Sequence, residues 1–306
     1  MKTRIDLVSL TNELSEPLKE GVPLSLEAMK VLVKGEQSKR KKLHEPTLNC
    51  EVLDANTGQV DDYIDDLINK VPKLTVPTTS QIIIKDYAHY TAIVLFLDKA
   101  NSSFLVLDSA GDPRSFDHYL KLKNATRSDS DIPLFNRCTM AVPEPLSSTN
   151  SGAQQTNTYS CGAFALDYAC QASRLPDLLA TVNEHTEKGM IAWHHLPPSL
   201  TWNAESMAWI EDYIKLHPQA VSKNIAGIDM TFKQYVTEAN HHSPPGENRA
   251  FEYSFKHYQS QVSMRNIKNV ANNKGASPGF FEAEKSSNRT HDQNRVSVSD
   301  QRRNTK

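Results

Sequence analysis

A single cysteine, Cys161, closes the polar, turn-forming run Gln154-Gln155-Thr156-Asn157-Thr158-Tyr159-Ser160, and an apolar helical pattern of Ala163, Phe164, Leu166, Tyr168 and Ala169 begins at once. That junction puts the thiol at the first turn of a helix, where unpaired amide hydrogens and the helix dipole favour an anion and ease ionisation. A nucleophilic thiolate needs a base close by and donors for the developing oxyanion. Gln155, on the same loop, carries an amide that can serve the oxyanion. His89 stands at the entrance of one apolar segment and Asp108 at the exit of the next, with Asp98-Lys99-Ala100-Asn101 as the turn between them. In an antiparallel pair those two ends lie side by side, the geometry in which a carboxylate orients an imidazole. Taken singly, each residue has a plainer reading: an inert buried cysteine, a structural histidine, a turn aspartate. Their order along the chain points to one acyl-transfer constellation.

The elements that must hold these groups are short and apolar. Gln81 to Lys85, Tyr90 to Leu97 and Ser103 to Leu107 are rich in β-branched or aromatic residues and read as strands, with Cys138 to Val142 as a further one. Ser115 to Lys123 reads as a short helix, and Pro143 to Gln155 as a long loop leading to the cysteine. The cysteine helix runs from Cys161 to about Ser173, and a second helix covers Asp177 to Glu187. A turn follows at Trp193 to Pro198, then a capped amphipathic helix over Asn203 to Leu216. Upstream, residues 1–45 form one or two short helices, and Asp61 to Lys70 is amphipathic. Lys39-Arg40-Lys41-Lys42 reads as a solvated helix end in preference to a nuclear-localisation or phosphate-binding patch. Residues 230–240 are weakly helical, and Ala250 to Val262 adds a strand or a last helix. The fold class is α+β: a mixed sheet with the cysteine on a central helix packed against it, plus a C-terminal helical lobe. The expected organisation is an N-terminal helical segment (1–45), a catalytic core (46–190), a C-terminal regulatory or substrate lobe (191–263) and a disordered tail (264–306).

Composition narrows the function classes. A formal net charge of −2 gives no basic field for nucleic acid. Four scattered cysteines form neither a disulfide framework nor a C-x-x-C metal site, so no resident metal is expected. The adjacent pairs His194-His195 and His241-His242 read as loop residues. No run is long enough for a membrane helix, and the acid-containing N-terminus does not read as a signal peptide.

His89-Tyr90, Leu107-Asp108-Ser109 and Gln154-Gln155-x-Asn157-x-Tyr159-x-Cys161-Gly162 resemble the core motifs of clan CE cysteine enzymes, which include the SUMO and ubiquitin-like-protein proteases. A broader resemblance is to the YopJ family of bacterial effector acetyltransferases, which shares that core. Phe104 to Ala110 matches a family segment, as do Leu196-Pro197 and Leu200 to Pro218 with Tyr213 in register, while Lys223-Asn224 and Ser254-Phe255-Lys256-His257 echo later ones. The resemblance implies a papain-like fold and a Cys161 acyl-enzyme formed from acetyl-CoA, with His89, Asp108 and Gln155 in support. It further implies a host signalling protein as acceptor through Ser, Thr or Lys, and secretion without a cleaved signal to act in host cytoplasm. It also brings inositol hexakisphosphate as an activating ligand. Against that ligand, Trp202-Asn203 stands where the family has Lys-His, and Tyr258-Gln259 where it has Lys-Arg. Polyphosphate is bound chiefly by paired cations, so strong activation is not expected, and Lys223, Lys256 and His257 are the remaining candidates. The acid is aspartate where the family usually has glutamate. With the Gln-Gln pair, this keeps a second reading open, a ubiquitin or ubiquitin-like-protein isopeptidase using the same triad.

Overall fold

The structure, a computed structural model, describes residues 6–18, 21–127, 131–142, 154–155, 157–225, 228–239 and 250–272. Its centre is a six-stranded mixed sheet in sequence order: β1 (Cys50–Asp54), β2 (Thr78–Asp86), β3 (His89–Leu97), β4 (Ser103–Leu107), β5 (Arg137–Val142) and β6 (Met190–Ala192). β2, β3 and β4 form an antiparallel meander, while β1 joins β2, β5 joins β4 and β6 joins β5 in parallel. Parallel neighbours need crossovers, and helices supply them. These are α3 (Gln59–Lys70) before β2, α4 (Pro113–Lys123) before β5, and α5 (Cys161–Ala172) with α6 (Leu178–His185) before β6.

β3 is buried at every position. Its uninterrupted apolar run is what a central strand covered on both faces requires. The turn out of β3 is built by Asp98, whose Oδ1 accepts from the amides of Ala100 and Asn101, and by Ser102, whose hydroxyl donates to the Asp98 carbonyl. α5 is apolar on every side but for Asp167 and Gln171, and it is buried at every residue but Gln171, as befits a helix laid against β3 and enclosed by others.

Before the sheet come α1 (Leu7–Ser15) and α2 (Leu26–Leu43), the latter capped by the Ser25 hydroxyl on the Ala28 amide. After it come α7 (Met207–Leu216), the hairpin β7 (Val221–Ile225) and β8 (Ile228–Thr231), α8 (Phe232–Ala239), α9 (Ala250–Gln259) and α10 (Met264–Asn272). Residues from Leu10 to Ile267 share one hydrophobic core, so the N-terminal helices, the sheet and the later helices are packed as one body within Met1–Ala271.

Two expectations are corrected. The tail expected from 264 begins as a helix, α10, with Ile267 buried (the residues from 273 lie outside the described part). The basic run is not a uniformly solvated helix end, because Arg40 is buried. It binds Glu36 Oε1 at 2.9 Å and Ser173 Oγ at 2.7 Å, and it donates to the carbonyls of Cys170 and Pro46. Arg174 reaches the same Glu36 oxygen at 2.6 Å. A fully desolvated carboxylate thus has one cation from its own helix and one from the turn after α5, which fastens α2 to the end of α5. The strand pair Val221–Ile225 and Ile228–Thr231 adds an element that the sequence did not suggest.

Candidate active site

The register of β3 and β4 sets Ala92 opposite Leu107. Continuing it by one residue puts Asp108 across from Thr91, so the carboxylate meets His89 on the diagonal rather than directly opposite, still within side-chain reach. His89 Nε2 and Asp108 Oδ1 are 3.1 Å apart, both residues buried. Asp108 is held by more than the imidazole. Its Oδ1 accepts from the Ala110 amide at 3.0 Å, and its Oδ2 from the Asp112 amide at 2.7 Å and the Ser115 hydroxyl at 2.6 Å. Ser115, at the start of α4, shares a 2.7 Å hydrogen bond with Thr91. The acid is therefore fixed by a turn and a helix N-terminus together.

Cys161 is the first residue of α5, as the sequence pattern predicts. With Nε2 engaged by Asp108, the other ring nitrogen is left for the thiol, and Cys161 is one of the groups that shift His89. Burial by itself pulls the imidazole pKa down. Hydrogen bonds to Asp108 and Cys161 and the charge of both groups outweigh it and push His89 up to about 10. His89 is thus an imidazolium at neutral pH, the partner that a thiolate requires. The sulfur is buried (2 % exposed) and lies 3.6 Å from the Ala88 carbonyl. Ala88 and Tyr87 are exposed on the β2–β3 turn, with Tyr87 at a left-handed φ of 52°. The Cys161 thiol lies directly beneath a surface turn.

Close approach of α5 to its surroundings depends on Gly162. A Cβ there would meet Leu24 Cδ1 at 3.2 Å, Met29 Cε at 3.3 Å and the Tyr90 ring at 3.3 Å. Tyr90 donates to the Leu24 carbonyl at 2.9 Å, so the N-terminal segment forms part of the floor under the cysteine.

The loop before the cysteine is organised by side chains. Asn157 Oδ1 accepts from the amides of Tyr159 and Ser160 at 2.9 and 2.8 Å. Glu205, buried just ahead of α7, accepts from the Asn157 amide at 3.2 Å, from Asn157 Nδ2, and from the Ser160 hydroxyl at 2.7 Å. The amides of Glu205 and Ser206 bind the Gln154 carbonyl, and Gln154 Oε1 accepts from Tyr168 at 3.1 Å. Gln155 accepts from the Ser109 hydroxyl at 2.7 Å and donates from Nε2 to the Asn157 carbonyl, so one amide hydrogen remains for a substrate.

Sequence reading missed Ser115, Asn157 as a loop brace, Glu205 and Asp167. Asp167 accepts from Trp202, Asn203 and Tyr258 inside the core, and a charge inside an otherwise apolar helix was a usable signal for it. Glu205 looks like any acid before a helix, and nothing in its neighbourhood marks it. The three cation candidates are placed apart from the triad's own contacts: Lys223 is on β7, and Lys256 and His257 are exposed in the last turn of α9. His257 Nε2 lies 3.0 Å from Lys39 Nζ. His194 and His195 stand in a short turn where His185 stacks on His195, ring centroids 4.4 Å apart, while His241-His242 lies outside the described residues.

A family model described as YopJ Serine/Threonine acetyltransferase matches residues 7–270. The chain belongs to the YopJ acetyltransferase family. The match spans the N-terminal helices, the sheet and every described helix through most of α10. Among solved structures, one of AvrA delL154 with IP6 and CoA is similar with a TM-score of 0.55 at 14% identity, covering 84% of this chain and 98% of that one. One of HopZ1a with IP6 is matched at a TM-score of 0.45 and 11% identity, covering 88% and 98%. No curated protein matches the chain at a significant level. The fold is the papain-like one, a cysteine helix packed on a mixed sheet.

Proposed function

We propose that this YopJ-family chain carries an acetyl group from acetyl-CoA, through a thioester on Cys161, to a hydroxyl or amine of a host protein. The observation that carries the reading is a buried Asp108–His89 pair, coupled to Cys161 at the head of a buried helix, in a chain of an acetyltransferase family. The Cys161 thiolate attacks the carbonyl carbon of the donor thioester. The oxyanion is held by the free hydrogen of the Gln155 amide and by the backbone amide of Cys161 at the head of α5. Collapse breaks the carbon–sulfur bond to CoA, and His89 returns its proton to the leaving thiolate. The now neutral imidazole then takes the proton of the acceptor. The acceptor attacks the S-acetyl carbon, the bond to Sγ breaks, and the thiolate is restored. Asp108 keeps Nε2–H pointed at itself throughout, so the other nitrogen always faces the sulfur.

The CoA in the similar AvrA structure supports acetyl-CoA as donor. Serine, threonine and lysine are all competent acceptors for this chemistry, and a secreted effector working in host cytoplasm meets proteins offering each. A ubiquitin-like-protein isopeptidase would use the same attack with water as final acceptor, and Asp108 suits either.

The test is labelling with radioactive acetyl-CoA, in parallel with ubiquitin- and SUMO-based active-site probes. Wild type is expected to take up label, and Cys161→Ala and His89→Ala to lose it. Probe capture without acetylation would transfer the assignment to the isopeptidase.

A further inference from the structure

The β2–β3 turn that covers the Cys161 thiol also forms a wall of a separate cleft of about 660 Å³. Asp86 and Tyr87 line the cleft from the turn, and Asp117, His118 and Lys121 line it from α4. Only the step from Asp86 to Ala88 separates this lining from the carbonyl that meets Sγ, a span of about 7 Å in extended chain. Tyr87 is 74 % exposed and sits at a left-handed φ of 52°, a conformation uncommon for a bulky side chain. The nucleophile and the cleft therefore share one strained turn.

The charge of the cleft is one-sided. Lys121, its lining cation, is turned to Asp61 at 2.7 Å. Arg114, close by on α4, is engaged by the Asp112 carboxylate at 2.6 Å and donates to the Asp86 carbonyl at 3.1 Å. Among the described residues, the carboxylates of Asp86 and Asp117 are left without a paired lysine or arginine. His118 is buried (6 % exposed), and its Nε2 lies 3.5 Å from Asp86 Oδ2 with no hydrogen-bond partner among the described residues. Burial pulls its pKa down, and the attraction of Asp86 and Asp117 does not offset this, so the ring is neutral at pH 7. An unpartnered buried nitrogen beside a carboxylate is an unmet demand for a donor. The N–H groups of a guanidinium or ammonium answer it, and the Tyr87 ring offers its face to the same cation. Phosphate is repelled by the two carboxylates, which sets this cleft on the side of the acceptor rather than of CoA.

We infer that the cleft binds an arginine or lysine side chain of the acceptor protein, about two or three residues along the chain from the acetylated one. The inference rests on the acyl-transfer reading and deepens it, because it makes the acceptor a basic segment.

The test uses fluorescein-labelled serine peptides that carry arginine, norleucine or glutamate at each position within about four residues of the serine. Binding to the full chain is followed by anisotropy at about 0.15 M salt, where long-range attraction is screened. The same peptides are then offered as acceptors with radioactive acetyl-CoA. Arginine is expected to bind about tenfold tighter than norleucine at one or two positions, with glutamate weakest, and kcat/KM for transfer to follow the same order. Asp86→Asn and Asp117→Asn should each cut the arginine preference about threefold or more, and Asp117→Lys should turn it towards glutamate. Glu184→Gln removes an equal charge from exposed surface outside the cleft and should keep the wild-type preference. Each preference is a ratio within one variant, so a general loss of folding or activity does not imitate the expected change. Equal binding of the three peptides, a preference untouched by the cleft variants, or an equal loss in Glu184→Gln would overturn the inference. Anisotropy needs no acyl donor. Arginine preference in binding without label on Cys161 or the peptide would therefore refute acetyl-CoA as donor while upholding the cleft.

Discussion

Glu205 makes the sharpest test of how the nucleophile is positioned. Its carboxylate is the acceptor for the Asn157 amide, Asn157 Nδ2 and the Ser160 hydroxyl. Glu205→Ala leaves the hydroxyl free to rotate to another acceptor but strands two amide donors of a half-buried residue. At about 1–2 kcal/mol for each stranded donor, the cost is about 2–4 kcal/mol. For a chain of this size that corresponds to a loss of roughly 3–6 °C in Tm. The second effect is geometric. Without Glu205, Asn157 no longer fixes the amides of Tyr159 and Ser160, and the turn that delivers Cys161 is free to shift. A displacement of about 1 Å costs about 100-fold in rate. Glu205→Gln keeps the shape and turns one acceptor into a donor, so it should fall between. Guanidinium unfolding gives the stability change. Cys161 alkylation and single-turnover labelling, run at a temperature where all variants are folded, give the positional one. If Glu205→Ala unfolds within about 0.5 kcal/mol of wild type, the usual range for an inconsequential surface change, and labels at the same rate, the bracing argument is wrong.

Further expectations follow from the same contacts. Cys161 helps raise His89, so Cys161→Ala should bring the His89 pKa down from about 10 towards its ordinary 6.5, read by an NMR titration of the imidazole. Because the folded-state value is raised, this group's contribution to stability is complete below about 6.5 and is lost as pH climbs through about 10. Melting temperature should therefore fall across that window, less steeply in Asp108→Asn. Gly162→Ala forces Leu24, Met29 and Tyr90 to give by a few tenths of an ångström. Set against about 1 kcal/mol gained in helix propensity, overpacking of about 1–3 kcal/mol should leave a net loss in chemical denaturation. Arg40→Ala strands the buried Glu36 with Arg174 alone and should cost about 3–5 kcal/mol in the same measurement.

The sheet core was legible because its chemistry is local. Gln81 to Lys85, Tyr90 to Leu97 and Ser103 to Leu107 carry continuous apolar runs, and Asp98 supplies a turn its own side chain can build. Cys161 was placed because the change from polar loop to apolar helix is abrupt. Elements whose identity comes from partners were not legible. β6 has three residues and exists because β5 lies beside it. α10 reads as tail because its apolar residues are few, and it becomes a helix because Ile267 is buried. Arg40 looks like its lysine neighbours until Glu36 and the end of α5 are seen around it. The braces of the site, Ser115, Asn157, Glu205 and Asp167, are polar residues whose partners stand elsewhere in the chain, and spacing carries no record of them.

The scaffold beneath the cysteine helix draws on Leu24, ahead of the sheet, and on Tyr258, in α9 long after it. A growing polypeptide on the ribosome exposes His89, Asp108 and Cys161 long before α9 emerges from the exit tunnel. Through that interval the cysteine helix lacks its last cover, and the protein cannot begin to work before α9 has been made.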